Sequence, residues 1–163
     1  MVAPWQVGKD ELNILRYRNA YNTKNDEYNC GGHALETFNI YLPYETKEEG
    51  AEIRYYCEMH KYAMPLAHAA KKIRKDFPEL HIVKEEAIRA KAFSGKDFLV
   101  IAFRYARDDF HFWKLEPENI WSNKWGRSDI IDFQPYKAVF DIWETDYTDY
   151  DSDIIFFVKR RKR

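Results

Sequence analysis

A thiol followed by two glycines and an imidazole, in Asn29-Cys30-Gly31-Gly32-His33-Ala34-Leu35, is the stretch of this 163-residue chain best suited to covalent chemistry. Upstream, Tyr21 to Tyr28 is polar and has no apolar period, whereas Leu35, Phe38 and Tyr41 or Leu42 recur at three to four residues, as one face of a helix does. The pattern predicts a helix from Cys30 that Leu42-Pro43 closes, because a residue before proline resists the α region. Cys30 then lies in its first turn. Unpaired N–H groups and the positive dipole end there favour an anion and lower a thiol from its free pKa of about 8.5. Gly31 and Gly32 disturb a helix least at its end and would let a substrate backbone come close.

A nucleophilic thiol needs a base, and one of the five histidines stands apart. In Asp109-Phe110-His111-Phe112-Trp113-Lys114, a strand's alternation turns His111 and Trp113 one way and Phe110 and Phe112 the other. Phe98 to Tyr105 ahead of it and Ile120 to Trp125 after it read as neighbouring strands, joined by the polar turns at Arg107-Asp108-Asp109 and Glu116-Pro117-Glu118-Asn119. Antiparallel pairing of this kind brings His111 beside Asn123. A carboxamide oxygen there would hold the imidazole in the tautomer and orientation that a neighbouring thiol requires.

A cysteine at a helix start, then a histidine on a strand, then a polar residue on the next strand resembles the papain-like cysteine peptidases of the NlpC type. That superfamily includes cell-wall endopeptidases and amidases. Asn29-Cys30-Gly31-Gly32-His33-Ala34-Leu35, Asp109-Phe110-His111-Phe112-Trp113 and Trp121-Ser122-Asn123-Lys124-Trp125-Gly126 are similar to a branch seen in phage and bacterial proteins. The likeness covers roughly residues 28 to 126. Asn123 stands where that branch often has His, and Trp125 where it often has Pro. The resemblance implies a Cys30–His111–Asn123 triad forming a thioester acyl-enzyme from a peptide or peptidoglycan-like amide. Acyl transfer of this kind would place the oxyanion on the Cys30 backbone N–H, with Asn29 or Tyr28, chosen by proximity in sequence alone, as the neighbouring side chain. Trp113, Trp121 and Trp125 flank the base and its partner, and whichever of them faces outward would wall a substrate groove.

Length sets the frame: the chain is one domain, 1–163 with its core at roughly 28–158, long enough to bury most of the surface its unfolded form exposes. Helical periodicity from Ala51 to Phe77, divided or kinked at Pro65, precedes strand-like stretches at Leu80–Val83, Phe98–Tyr105, Phe110–Leu115, Ile120–Trp125, Ile130–Phe133, Ala138–Trp143 and Asp153–Val158. Lys84 to Ala92 is a polar connection rich in helix formers, and Asp10 to Tyr17 forms a short helix. Helices first and strands second give an α+β layout, here papain-like, with the nucleophile at a helix start and an antiparallel sheet in the second half.

Aromatic residues at 17% exceed what such a core must hold, so rings either line a groove or serve as strand formers. A formal net charge of −1 supplies no field to gather nucleic acid or anionic polymers. Acids cluster from Asp141 to Asp153 and read as a solvated loop, while the terminal Lys-Arg-Arg-Lys-Arg reads as either a solvated tail or an anchor for an anionic partner. Cys30 and Cys57 cannot build a disulfide framework, and Cys57 reads as a small hydrophobe on a helix. Cys57, His60 and His68 have unpersuasive spacing for a metal, and neither metal nor cofactor is expected. The N-terminus carries no signal-peptide pattern and no apolar run reaches a membrane span, so the expectation is a cytoplasmic protein, phage-encoded origin included, off the membrane. Three functions stay open: an amide-cleaving cysteine hydrolase, a phage-type binding or structural protein without chemistry on the same fold, and an acyltransferase or deamidase using the same triad.

Overall fold

The computed structural model describes residues 28–59, 62–107, 109–125, 131–141, 143–144 and 149–162. The helix expected at Asp10–Tyr17 lies outside them. Among the described residues, four α-helices and a six-stranded antiparallel sheet make an α+β fold. The helices are α1 (Cys30–Ala34), α2 (Lys47–Met59), α3 (Ala63–Asp76) and α4 (Glu85–Arg89). The strands β1 (His81–Val83), β2 (Phe98–Tyr105), β3 (Phe110–Leu115), β4 (Ile120–Lys124) and β5 (Ile131–Pro135) are followed by a 3₁₀ turn at Tyr136–Phe140, by β6 (Trp143–Glu144) and β7 (Asp149–Tyr150), which pair separately, and by β8 (Ile155–Arg160). The large sheet runs β1-β8-β2-β3-β4-β5, with β8 returning from the end of the chain to pair between β1 and β2.

β2 is central, and its sequence shows why. Leu99-Val100-Ile101-Ala102-Phe103 is apolar without alternation, as a strand covered on both faces must be, and every residue after Phe98 in it is buried. Leu99, Ile101 and Phe103 join one core with Cys30, Leu35, Leu66 and Ile73 of the helical side. Val100 and Ala102 join a second with Ile88, Trp113, Trp121 and Tyr136. Arg104 is buried on that second side, where its guanidinium donates to the carbonyls of Ser152 at 3.0 Å, Val139 at 3.1 Å and Asp141. One side chain thus supplies the donors that three otherwise idle carbonyls of irregular chain require.

Four expectations are corrected. The helix predicted from Cys30 to Leu42 stops at Ala34: Glu36 and Phe38 take left-handed backbone conformations (φ 58° and 55°), and Phe38 is 57% exposed. The three-to-four spacing of Leu35, Phe38 and Tyr41 therefore does not mark one helix face; Leu35 is core, and Tyr41 packs edge-on to Phe77 and Phe112 after the chain has turned back. The long helical stretch is two helices, α2 ending at Met59 and α3 beginning at Ala63, and Pro65 sits in the first turn of α3, where its missing N–H has no intrahelical acceptor to lose. Of Ala138–Trp143, expected as a strand, residues 138–140 belong to the 3₁₀ turn and Trp143 begins β6. The basic terminus is not a free tail, because Lys159 and Arg160 belong to β8 and Arg161 pairs with Glu36 at 2.7 Å.

The two glycines after Cys30 make room for the protein's own chain. A Cβ on Gly32 would stand 1.8 Å from the Asn39 carbonyl oxygen, and one on Gly31 would stand 3.0 Å from that of Tyr41. Gly32→Ala must displace backbone, and urea unfolding should show a loss of on the order of 3 kcal/mol or outright failure to fold; Gly31→Ala should lose about 1 kcal/mol. Equal, small losses at both positions would contradict this packing.

Candidate active site

The site is assembled by three short elements. β3 and β4 form ladder pairs only at Lys114–Ser122 and Leu115–Trp121, so beyond them the two strands separate, although β4 stays paired with β5 along its whole length. α1 packs against both strands there. Asn29 fixes its entry: Oδ1 accepts from the Gly32 and Tyr41 N–H groups, each at 3.0 Å, and Nδ2 donates to the Tyr41 carbonyl at 2.7 Å. That is an N-cap that also staples the returning chain. The carboxamide expected to face an oxyanion is committed to capping instead.

Past the last ladder pair, the backbone N–H of Phe112 is directed at the Cys30 sulfur, as is that of Gly31. Neither overcomes burial. Cys30 is 4% exposed, and loss of solvent, with the Asp109 carboxylate adding to it, pushes the thiol up to about 12. Lys124 pulls weakly the other way. The expectation that a helix start would lower this thiol fails for a physical reason: a five-residue helix has a small dipole, and desolvation of the anion outweighs it.

His111 emerges from β3 on the face predicted by alternation, with its ring 4.6 Å from that of Trp113 and 5.6 Å from that of Tyr150. Its Nε2 lies 2.9 Å from Asn123 Oδ1. A carboxamide oxygen only accepts, so Nε2 carries the hydrogen and Nδ1 keeps its lone pair. Burial holds the ring neutral, lowering its pKa to about 3, while the bond to Asn123 acts in the opposite sense. The His111–Asn123 contact read from the sequence is therefore present. Cys30 belongs to the core that contains Phe112, and His111 to the opposite face with Trp113, so the main chain of β3 is what thiol and imidazole share.

The remaining expected residues divide. The Tyr28 carbonyl accepts from Lys124 Nζ, and its ring covers that ammonium at 4.8 Å and meets Phe38 edge-on. Trp113 and Trp121 are core, donating from Nε1 to Gln134 Oε1 and to the Tyr136 carbonyl, both at 2.9 Å. Trp125 is 44% exposed, and is the outward-facing ring of the three.

Sequence reasoning missed a second polar chain. His33, one turn from Cys30, donates from Nε2 to Ser122 Oγ at 2.8 Å, and Ser122 donates to Glu116 at 2.6 Å. The direction follows from the carboxylate, which can only accept from the hydroxyl. Burial foremost, then the charges of Lys114 and Lys124, keep His33 neutral, well below the ordinary histidine range. The signal was available: Cys30 and His33 stand i, i+3 on a helix, and Ser122 and Lys124 alternate with Asn123 on β4. Lys124, fully buried on the same face as Ser122, was also unforeseen.

No family model matches the chain, and neither a curated protein nor a solved structure matches it. Among the described residues no helix is long and apolar enough to cross a membrane, and no group of three or more metal-ligating side chains is gathered.

Two histidines held neutral give the fold a defined response to acid. Their folded pKa values lie below the unfolded value of about 6.5, so the stabilisation is full above that pH and is lost as pH falls towards the folded values. Between pH 7 and pH 5, above the range in which carboxylates titrate, denaturant unfolding should weaken by about 2 kcal/mol for each ring. His111→Gln should remove about half of that pH dependence, whatever its stability at pH 7. An unchanged difference between the two pH values would show that His111 is protonated in the folded protein.

Proposed function

We propose that the chain is a papain-like cysteine hydrolase that cleaves an amide bond in a peptide or peptidoglycan-like substrate, using Cys30, His111 and Asn123. The observation that carries the reading is the 2.9 Å bond from His111 Nε2 to Asn123 Oδ1. It leaves Nδ1 as a proton acceptor on the residue adjoining the Phe112 N–H that meets the Cys30 sulfur. In this reading His111 Nδ1 takes the thiol proton and the sulfur bonds to the amide carbon. The oxyanion is received by the Cys30 N–H, which as the first of α1 has no partner within the helix. The C–N bond then breaks as His111 returns the proton to the leaving amine. Water, deprotonated by the same ring, hydrolyses the thioester to a carboxylic acid and restores the thiol.

The resting pair is a neutral thiol and a neutral imidazole, so proton transfer must accompany attack; no standing thiolate is ready. A second reading, the same scaffold without chemistry, is favoured by one observation: the 4% exposure of Cys30, with its thiol pushed up to about 12. The two readings differ in how sulfur reactivity depends on the ring.

Iodoacetamide alkylation separates them in a Cys57→Ser background. A hydrolase site should lose roughly a hundredfold in the Cys30 alkylation rate at neutral pH with His111→Ala, at the lower end of what a positioned base contributes, and several-fold with Asn123→Ala. A rate that is the same in all three proteins, limited only by exposure of the sulfur, would leave the scaffold reading standing alone.

A further inference from the structure

The end of α4 and the 3₁₀ turn after β5 line a cleft of about 640 Å³. Three cations border it, Arg89, Lys91 and Lys137, against one acid, Asp141, and all four are exposed. Pro135, Tyr136 and Phe140 give it apolar surface. Two of the cations are seated on those rings. The Arg89 guanidinium lies 4.2 Å from the centre of the Phe140 ring, and its Nε donates to Glu85 Oε2 at 2.8 Å. Its two terminal nitrogens take no hydrogen bond among the described residues, which leaves a planar fork of donors of the kind that receives phosphate oxygens in pairs. The Lys91 ammonium lies 5.2 Å from the centre of the Tyr136 ring. Its backbone is left-handed (φ 56°), at the position past a helix end where glycine is the usual residue and a lysine is strained.

Glu85 answers Arg89, but Lys91 and Lys137 form no ion pair among the described residues. The helix end adds little opposing charge, because the Ile88 carbonyl already accepts from the Tyr136 hydroxyl and from the Lys91 N–H at 2.9 Å. A single carboxylate would leave part of this positive charge unanswered. A phosphomonoester carries close to two charges at neutral pH and three acceptor oxygens. The cleft is far larger than a bare phosphate needs and falls in the usual range for small organic ligands, so the anion comes with a body. The chain's formal net charge of −1 gives no long-range attraction for nucleic acid, which favours a small ligand held at short range. We infer that this cleft binds a phosphomonoester, its phosphate taken by Arg89, Lys91 and Lys137 and its organic body laid against Pro135 and Phe140. The phosphate belongs either to a small free molecule or to a phosphorylated side chain of a peptide; the chemistry that holds it is the same.

The test is a ¹H–¹⁵N NMR titration of the full chain at about pH 7.5 with phenyl phosphate, with phenyl sulfate as a control of the same shape and half the charge, with the peptide acetyl-glycyl-phosphoseryl-glycine amide, and with a short oligothymidine. Phenyl phosphate should shift resonances of residues 88–92 and 135–141 to saturation, and phenyl sulfate should bind there about fivefold more weakly. Tighter binding of phenyl phosphate than of the phosphopeptide identifies a free molecule as the source, and the reverse order identifies a phosphorylated side chain. Lys137→Gln should weaken phenyl phosphate about threefold, as should Arg89→Lys, which keeps the charge and loses the fork. Lys91→Gly should weaken it about fivefold, and because glycine relieves the left-handed backbone the same variant should melt no lower than the parent. Absence of a saturable shift, equal affinity for phenyl sulfate, or tighter binding of oligothymidine than of either phosphomonoester would overturn the assignment. So would unaltered affinity in Lys91→Gly, or a fall of more than about 4 °C in its melting temperature. None of these readouts involves turnover, so they are independent of the hydrolase proposal.

Discussion

Three consecutive side chains of β4 hold the site together, each by satisfying a buried polar group on a different element. Ser122 accepts from His33 of α1, Asn123 accepts from His111 of β3, and Lys124 donates to the carbonyl of Tyr28 just before α1. Each partner is buried, and each would be left costly and unpaired if β4 shifted, at roughly 1–3 kcal/mol apiece. A shift of one residue would also exchange the strand's faces and break all three at once. Register in β4 is therefore fixed by polar satisfaction as much as by the apolar residues beside it. The five-pair ladder with β5 supplies the rigid side from which these contacts are made.

Burial, rather than local helix geometry, sets the charge state of this cluster. It raises Cys30 and lowers both His33 and His111, so the groups that could carry charge near the strand fork rest neutral. The exceptions include Lys114, which pairs with Glu36 at 3.2 Å, and Lys124, whose ammonium is fully buried yet finds a carbonyl and a ring face at Tyr28. A buried cation is tolerable only with such partners. The charge of Lys124, beside the segment leading to Cys30, weakly favours a negative sulfur.

The parts legible in the sequence are those governed by short periods. The alternation of His111 with Phe110 and Phe112, the unbroken apolar run of β2 and the polar turns between them placed the central strands correctly and set Asn123 beside the imidazole. What misled was spacing that arises without a helix. Leu35 and Tyr41 are six residues apart and both turn inward, but through a left-handed reversal at Glu36 and Phe38 rather than along a face. Nothing in those side chains announces such a reversal; the Asn29 staple and the absence of a Cβ at Gly32 permit it, and both are long-range effects. The His33–Ser122 bond was half legible, since helix spacing and strand alternation gave the facing of each residue but not the meeting of partners 89 residues apart.

The strand fork gives the nucleophile question a geometric form. On a regular ladder, Phe112 and His111 project to opposite faces of β3, and a thiol packed with the first is screened from the second by the strand itself. Here the ladder with β4 ends at Lys114, and the backbone N–H of Phe112, beyond that end, bears on the Cys30 sulfur. An edge position is the one place from which a group held in the helical core reaches the main chain between the two faces. Where strand pairing is lost, a cysteine packed with one core and a histidine turned to the other both lie against the main chain of β3. That loss is tolerable because α1 and its N-cap replace the missing strand neighbour with hydrogen-bonded helix.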